Sequence, residues 1–296
     1  MTPPRAQTLT LAAVFVVLSL IWGTTWAAIR YSLDGIPPLI GVSLRFAIAG
    51  SVLLVVALIR RIPLGRAPHE RWLWVANGLL SFCVSYGVTY WCEQWLPSGL
   101  TAVLFATFPL FVVLLAPLVL PGGGIGRRTV IGTFVGFAGV AVIYSEDFDR
   151  LGGTQAWAAA LVMLISPLAA ALASVLVKRF GGAIHPLSLT APPMLIAALV
   201  MGALSALLER DQVLTFGLKP TLALLYLAVF GSAVTFTGYF WLLKRVTASQ
   251  AALIAYTTPV IAVATGAVLL SEPVTWRILA GAALVISGVI FAVKRT

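Results

Sequence analysis

Apolar runs of about twenty residues follow one another along nearly the whole 296-residue chain. One α-helix needs ~20 such residues to cross a hydrocarbon core ~30 Å thick, at ~1.5 Å per residue. Ten segments can be marked, at about 9–31, 37–59, 72–94, 97–119, 128–144, 154–177, 186–208, 220–243, 247–270 and 275–293, the fifth being short. Only 9% of the residues are charged, against ~25% in a soluble domain. So few charges cannot cover a water-facing surface. The expected fold class is therefore an all-α integral membrane protein with ten transmembrane helices. The net charge of +10 does not point to nucleic acid, because the basic residues stand in short pairs between apolar runs.

Those pairs orient the chain. One set of ends and loops holds Arg5, Arg60, Arg61, Arg66, Arg71, Arg127, Arg128, Lys178, Arg179, Lys244, Arg245, Lys294 and Arg295. The opposite set holds Arg30, Arg150, Arg210, Lys219 and Arg277, with Arg45 left inside a segment. Thirteen against five places the first set, and both termini, in the cytoplasm. Residues 1–30 show no clear cleavage site, so the first segment is kept as a membrane helix rather than a signal peptide. Cys83 and Cys92 are too far apart on one helix, ~13 Å along its axis, to form a disulfide.

The two halves repeat. "LPSGLTAVLFATFPLF" (96–111) lies over "VTASQAALIAYTTPVI" (246–261), with Trp91 on Trp241 and Pro109 on Pro259. At an offset one shorter, Gly132 meets Gly281 and Gly139 meets Gly288. Five helices per unit is an odd number, so the second unit enters the membrane from the opposite side. Residues 1–150 and 151–296 are thus expected to form two inverted five-helix repeats around a central cavity. That organisation is typical of transporters that bind substrate near the midplane.

Helix breakers mark the midplane: Gly23, Pro109, Ser166–Pro167 and Pro259. Such breaks are tolerated where protein or a wet cavity surrounds them, although prolines and glycines also make ordinary kinks in membrane helices. The third segment carries a polar file, Asn77, Ser81, Ser85, Thr89 and Glu93, beside Tyr86 and Tyr90. Spacing by four keeps the file on one face; it reads either as a wet wall or as interhelical glue. Thr235, Tyr239 and Trp241 of the eighth segment and Tyr256, Thr257 and Thr258 of the ninth are further candidates. Trp91, Trp95, Trp157 and Trp276 fit an aromatic belt at the interfaces; Trp22 and Trp26 lie deeper. Arg45 needs a partner or an aqueous face. It has two readings: it anchors a substrate carboxylate, or it pairs with Glu93 or helix-end carbonyls.

Several function classes lack their residues. "PGGGIG" (121–126) has no lysine and no following helix context for a phosphate loop. No HExxH motif or metal-spaced Cys/His cluster is present, and His69 and His185 fall in loops. Neither a metal nor a cofactor is expected, and no residue is assigned a catalytic role. A membrane-embedded enzyme such as a lipid transferase would want acids or histidines clustered at one interface.

"LIWGTTWAAIR" (20–30), "PPLIGVSLRFAIAG" (37–50), "ATFPLF" (106–111), "TTPVIAV" (257–263) and "LLSEPVTWRILAGAALVISGVIFAV" (269–293) together resemble the drug/metabolite transporter superfamily, EamA-type branch. Ser271 stands where members often carry glycine. The resemblance implies a ten-helix basket whose cavity is lined by helices 1, 3, 4, 6, 8 and 9, with helices 5 and 10 at the back. It also implies export of metabolites or drugs, with the bacterial aromatic amino acid exporters nearest in general character. The expected function is a secondary transporter of the bacterial inner membrane exporting small metabolites, amino acids including aromatic ones foremost, by alternating access. The alternative is a multidrug exporter of the same fold. Substrate contacts are expected from Trp22, Thr24, Trp26, Ser85, Tyr86, Tyr90, Thr235, Tyr239 and Tyr256. Gly23, Arg45, Glu93, Pro109, Pro167 and Pro259 are expected to shape or gate the path. The expected partners are a small-molecule substrate and the lipid bilayer; the sequence leaves the oligomeric state open.

Overall fold

The computed structural model describes residues 5–65, 68–96, 98–121, 125–143, 145, 153–261 and 275–293. Arg66, Asp149, the boundary between residues 150 and 151, the end of the ninth segment with Ser271 and Glu272, and the terminal Lys294 and Arg295 lie outside the described residues.

The protein is all-helical. Helix α1 is Arg5–Ser32 and α2 is Pro38–Ile59. Helix α3 runs as Pro68–Asn77, a π-helical stretch Gly78–Ser85, and Tyr86–Cys92. Helix α4 comprises Ser98–Phe105 and Phe108–Val119, and α5 is Arg127–Ile143. Helix α6 comprises Gly153–Met163 and Ile165–Phe180, and α7 is Ala191–Leu208. Helix α8 runs as Leu218–Ala228, a π-helical stretch Val229–Val234, and Thr235–Leu243. Helix α9 starts as Ala248–Ala252 and resumes over 254–261; α10 is Trp276–Val293.

Among the described residues, six helices are long and apolar enough to cross a membrane: Gln7–Ser32, Pro38–Ile59, Leu100–Val119, Gln155–Phe180, Ala191–Leu208 and Leu218–Leu243. The polar file lowers the hydropathy of α3, α5 has only 17 residues, and α10 offers the shorter apolar stretch Trp276–Ala292. Large apolar side chains cover the outside of the bundle, Leu118 at 80% and Leu199 at 76% exposure among them. Water would not stabilise such a surface; lipid does.

The breaks have local causes. Pro109 opens the second part of α4 just after a turn at Ala106–Thr107. Pro167 sits in the first turn of the second part of α6, after a turn at Leu164. Proline has no N–H to lose there and is pre-set for a helix start. At α9, Thr247 and Gln250 form a reciprocal capping box. The two π-helical stretches begin 151 residues apart, at Gly78 and Val229. The amphipathic pattern of the sequence carries no sign of them.

Helix α2 packs on α7, α3 on α6, α1 on α8, and α5 on α10. The last pair approaches backbone to backbone. A Cβ placed on Gly132 would lie 2.5 Å from the carbonyl oxygen of Gly288, and one on Gly139 would lie 2.6 Å from that of Gly281. Glycines at four positions allow this closeness, which suits helices that associate by contact rather than by the hydrophobic effect. Gly132 meets Gly288 while the later Gly139 meets the earlier Gly281, so the helices run antiparallel. Exchanging the sequence-matched glycines turns each contact into the other.

Candidate functional site

A cavity lies among α1, α3, α4, α6, α8 and α9. It offers about 90 Å³ to the centres of water-sized molecules, room for roughly six to nine waters at ~10–15 Å³ each. Its walls are aromatic. Trp22 of α1 meets Phe236 and Tyr239 of α8 with ring centroids 5.4 and 5.5 Å apart. Trp26 meets Phe105 of α4 at 5.6 Å, and Tyr86 of α3 meets Phe236 at 5.9 Å. Edge and tilted contacts of this kind favour a fixed arrangement of the rings.

Several hydroxyls in the wall are engaged by the protein. Thr25 donates to the carbonyl of Trp22 at 2.7 Å. Ser85 and Thr89 each share a hydrogen bond with Ser166 of α6, at 2.9 Å. Ser174 bonds the Tyr239 hydroxyl at 2.7 Å. The indole N–H groups of Trp22 and Trp26 have no hydrogen-bond partner among the described residues. No charged side chain lines the cavity among the described residues. The wall therefore presents π faces, and the same two tryptophans carry buried, unpaired donors; the lining suits a small ligand with an aromatic or cationic part.

Of the expected contact residues, Trp22, Trp26, Ser85, Tyr86 and Tyr239 line the cavity. Four are placed elsewhere. Thr24 hydrogen-bonds Tyr226 of α8, and its neighbour Thr25 faces the cavity instead; one residue along a helix turns the side chain by ~100°. Tyr90 is fully buried behind the wall, with its hydroxyl on Arg45. Thr235 is fully buried and its hydroxyl has no partner among the described residues. Tyr256 points away toward α5, donating to the carbonyl of Thr133 at 2.7 Å, and fills the space left by Gly136. Thr258, a further candidate of the ninth segment, lines the cavity, as do Phe105, Phe108, Phe236 and Phe240, which the sequence did not single out. Phe236 and Phe240 stand three residues before and one after Tyr239, a spacing that continues its face for Phe236.

The shaping residues divide in the same way. Gly23 admits the side chain of Ile261 and the carbonyl of Thr258 on α9. The break before Pro167 leaves Ser166, fully buried, to knit α6 to the polar file of α3. Asn77, at the far end of that file, donates to the carbonyl of Leu189. The file thus serves both as a wall, through Ser81, Ser85 and Thr89, and as glue. Pro259 is buried in the described part of α9.

Arg45 is fully buried and does not line the cavity. It donates to Ser232 Oγ at 2.7 Å, to the carbonyl of Gly231 at 2.9 Å and to the Tyr90 hydroxyl at 3.2 Å, and its guanidinium lies 4.6 Å from the centre of the Tyr86 ring. Of the partners open to Arg45, backbone carbonyl and hydroxyl groups, in the π-helical stretch of α8, are taken here in place of Glu93. Nearby, the Glu209 carboxylate accepts from the N–H groups of Leu39 and Ile40 at the start of α2, where a negative charge meets the positive end of the helix dipole. At the opposite end of the bundle, Glu70 accepts from Ser188 and Lys244 Nζ donates to the carbonyl of Ile184. His185 accepts from the N–H of Leu187. Desolvation, and then the charge of Lys244, hold its imidazole below the ordinary range.

The helices and cavity define a multi-pass membrane protein with an aromatic cavity inside its bundle. The model of the EamA-like transporter family matches residues 10–145 and again 157–294, and the chain belongs to that family. Among its relatives, the inner membrane transporter YedA of Escherichia coli, of uncharacterized activity, is 33% identical over 265 residues, covering 88% of this chain and 83% of YedA. Protein PagO of Salmonella typhimurium is 28% identical over 253 residues, covering 86% and 83%. An uncharacterized transporter of Archaeoglobus fulgidus is 28% identical over 287 residues, covering 95% and 99%. A solved crystal structure of another protein aligns over 96% of each chain with a TM-score of 0.81 at 20% identity, which shows the fold alone.

Proposed function

We propose that this transporter exports small metabolites, aromatic amino acids foremost, across the bacterial inner membrane by alternating access. The observation that carries the reading is the uncharged aromatic cavity with the unpaired indole donors of Trp22 and Trp26. An amino acid carboxylate would accept from those donors. Its ammonium and ring would face Tyr86 and Phe236, where cation–π and ring contacts are worth ~0.5–2 kcal/mol each. Binding is assigned to Trp22, Trp26, Ser85, Tyr86 and Tyr239, with Thr25 in place of Thr24.

The halves 1–150 and 151–296 act as inverted repeats. The double family match, the paired π-helical stretches and the reciprocal glycine contacts of α5 and α10 support this. Basic residues, thirteen against five, support cytoplasmic termini. The second reading, a multidrug exporter, draws on the absence of a charged anchor among the described lining residues. Counterflow in proteoliposomes separates the two. Labelled tryptophan or phenylalanine exchanging saturably, with cationic dyes inert, supports the first. Dye flux without amino acid exchange overturns it in favour of the second.

A further inference from the structure

Glu93 follows the last residue of α3 and is fully buried. Neither carboxyl oxygen has a hydrogen-bond partner among the described residues. An ionised carboxylate left in this way costs several kcal/mol. The charged and titratable groups facing it are Arg30 from α1, Arg45 from α2, and Tyr90 and Cys92 from its own helix. The stretch Gly153–Met163 of α6, packed on the same end of α3, has no titratable side chain and gives the Cys92 thiol its Ala159 carbonyl. Both arginines are engaged elsewhere. Arg30 donates to the backbone carbonyl of Glu93 rather than to its carboxylate. Arg45 is spent on Ser232, Gly231 and Tyr90.

The acceptor on α8 is built for Arg45. Gly231 lies in the π-helical stretch, and a Cβ there would stand 2.9 Å from Thr25 Cγ2 and 3.2 Å from Arg45 Nη2. A side chain there would crowd Thr25 and press the guanidinium away from that carbonyl. Arg45 therefore has two sets of acceptors within one buried cluster: the α8 carbonyl and hydroxyl, which it uses here, and a carboxyl that awaits a partner.

We propose that Glu93 is a proton-binding site that throws this latch. With a proton on its carboxyl, Glu93 is neutral, and Arg45 holds α2 to α8, closing the end of the bundle where α1 joins α2. When the proton leaves to water, the carboxylate takes the guanidinium in a charge-assisted pair, stronger than a bond to a neutral acceptor. Gly231 and Ser232 are then released, and α8 is free to part from α2. Proton occupancy of Glu93 thus selects which way the cavity faces. The inference rests on the reading that α2 and α8 belong to halves that move.

The test needs no substrate, so its outcome is separate from the identity of the cargo. The full-length protein, with Cys83 and Cys92 replaced by alanine and Ile29→Cys added at the cavity wall, is reconstituted in liposomes. A membrane-impermeant thiol reagent is applied on the side of the α1–α2 turn. Thiol ionisation alone speeds labelling as the pH rises, so the rate is divided by that of Gln212→Cys, exposed at the same end; this ratio should rise from about pH 5 to about pH 8, by up to about tenfold per pH unit while one proton is released. Glu93→Gln should give a low ratio without pH dependence; Glu93→Asp should restore a slope. Ser232→Ala weakens the closed arrangement and should move the slope to lower pH. The proposal is overturned by a flat response of the parent protein, by a slope that survives Glu93→Gln, or by a slope that Ser232→Ala leaves in place. The first and last of these stand even where Glu93→Gln fails to fold.

Discussion

Replacing Gly139 with alanine should weaken the seam between α5 and α10 by an amount that follows from its geometry. The new Cβ would lie 2.6 Å from the carbonyl oxygen of Gly281 and 2.6 Å from the backbone nitrogen of Val285. Neither atom can rotate away. Ordinary contact begins at 3.4 Å, so the helices must part by about 0.8 Å, and a gap of ~0.5–1 Å forfeits a quarter to a half of each dispersion contact. Overpacking of this kind costs ~1–3 kcal/mol. Removing a mid-helix glycine returns ~0.5–1 kcal/mol, which leaves a net loss of about 1–2 kcal/mol. By the usual scaling for large domains this lowers Tm by about 2–8 °C, measured by thermal unfolding in detergent. Gly281→Ala should cost a similar amount, because its Cβ meets the Gly139 carbonyl at 2.6 Å. The double variant should cost less than the sum, since both side chains open one gap. Gly182→Ala is the control: its Cβ meets nothing within 4 Å, and Tm should hold. If Gly139→Ala unfolds with the parent, or the double variant is simply additive, the close antiparallel seam is refuted.

Tyr256→Phe should lower stability by ~1–2 kcal/mol, through loss of the buried bond to Thr133, while leaving substrate affinity unchanged in a binding assay; a change in affinity with stability intact would return Tyr256 to the cavity wall. In a background without native cysteines, Thr25→Cys should be protected from thiol reagents by substrate and Thr24→Cys should not, because only Thr25 lines the cavity; equal protection would sink the assignment. The depressed imidazole of His185 gives stability that is full above its unfolded value of ~6.5 and falls as the pH drops below it. The unfolded chain takes the proton more readily there, and protonation also removes the acceptor for Leu187. His185→Gln should flatten thermal stability between about pH 5 and 7, and an unchanged slope would assign it to another group.

The membrane fold was legible because its cause is compositional: long apolar runs can satisfy their backbone only as helices. Part of the site was legible too. Trp22, Trp26 and Tyr86 are polar-tipped aromatics deep in apolar segments, and the structure sets them in one wall. The errors are errors of rotation and of turn type. Thr24 and Thr25 are adjacent, and the sequence alone offers no reason to prefer one face over the next. Tyr90 follows Tyr86 by one α-turn, so both were expected on the wet face. Arg45, with its need for acceptors, holds the Tyr90 hydroxyl behind the wall. Tyr256 went to the back because Gly136, 120 residues earlier in the chain, leaves a space its ring fills. Such long-range pairings have no local signature. The unpartnered carboxyl of Glu93 was invisible for the same reason: its spacing placed it on the polar file, and only the packing of α1, α2 and α6 shows that no donor among the described residues reaches it.

The account depends on the aromatic cavity being the path of the substrate. The most direct test is saturable exchange of labelled aromatic amino acid in proteoliposomes, comparing the parent with Trp22→Phe, Trp26→Phe and Trp157→Phe. Trp22 and Trp26 line the cavity and carry buried indole donors without a partner among the described residues, whereas Trp157 is 56% exposed on the outside of the bundle. The expected result is a weaker apparent affinity in the first two, by about five- to tenfold for a lost donor worth ~1 kcal/mol or slightly more, with Trp157→Phe unchanged. Equal exchange by all four proteins would contradict the account.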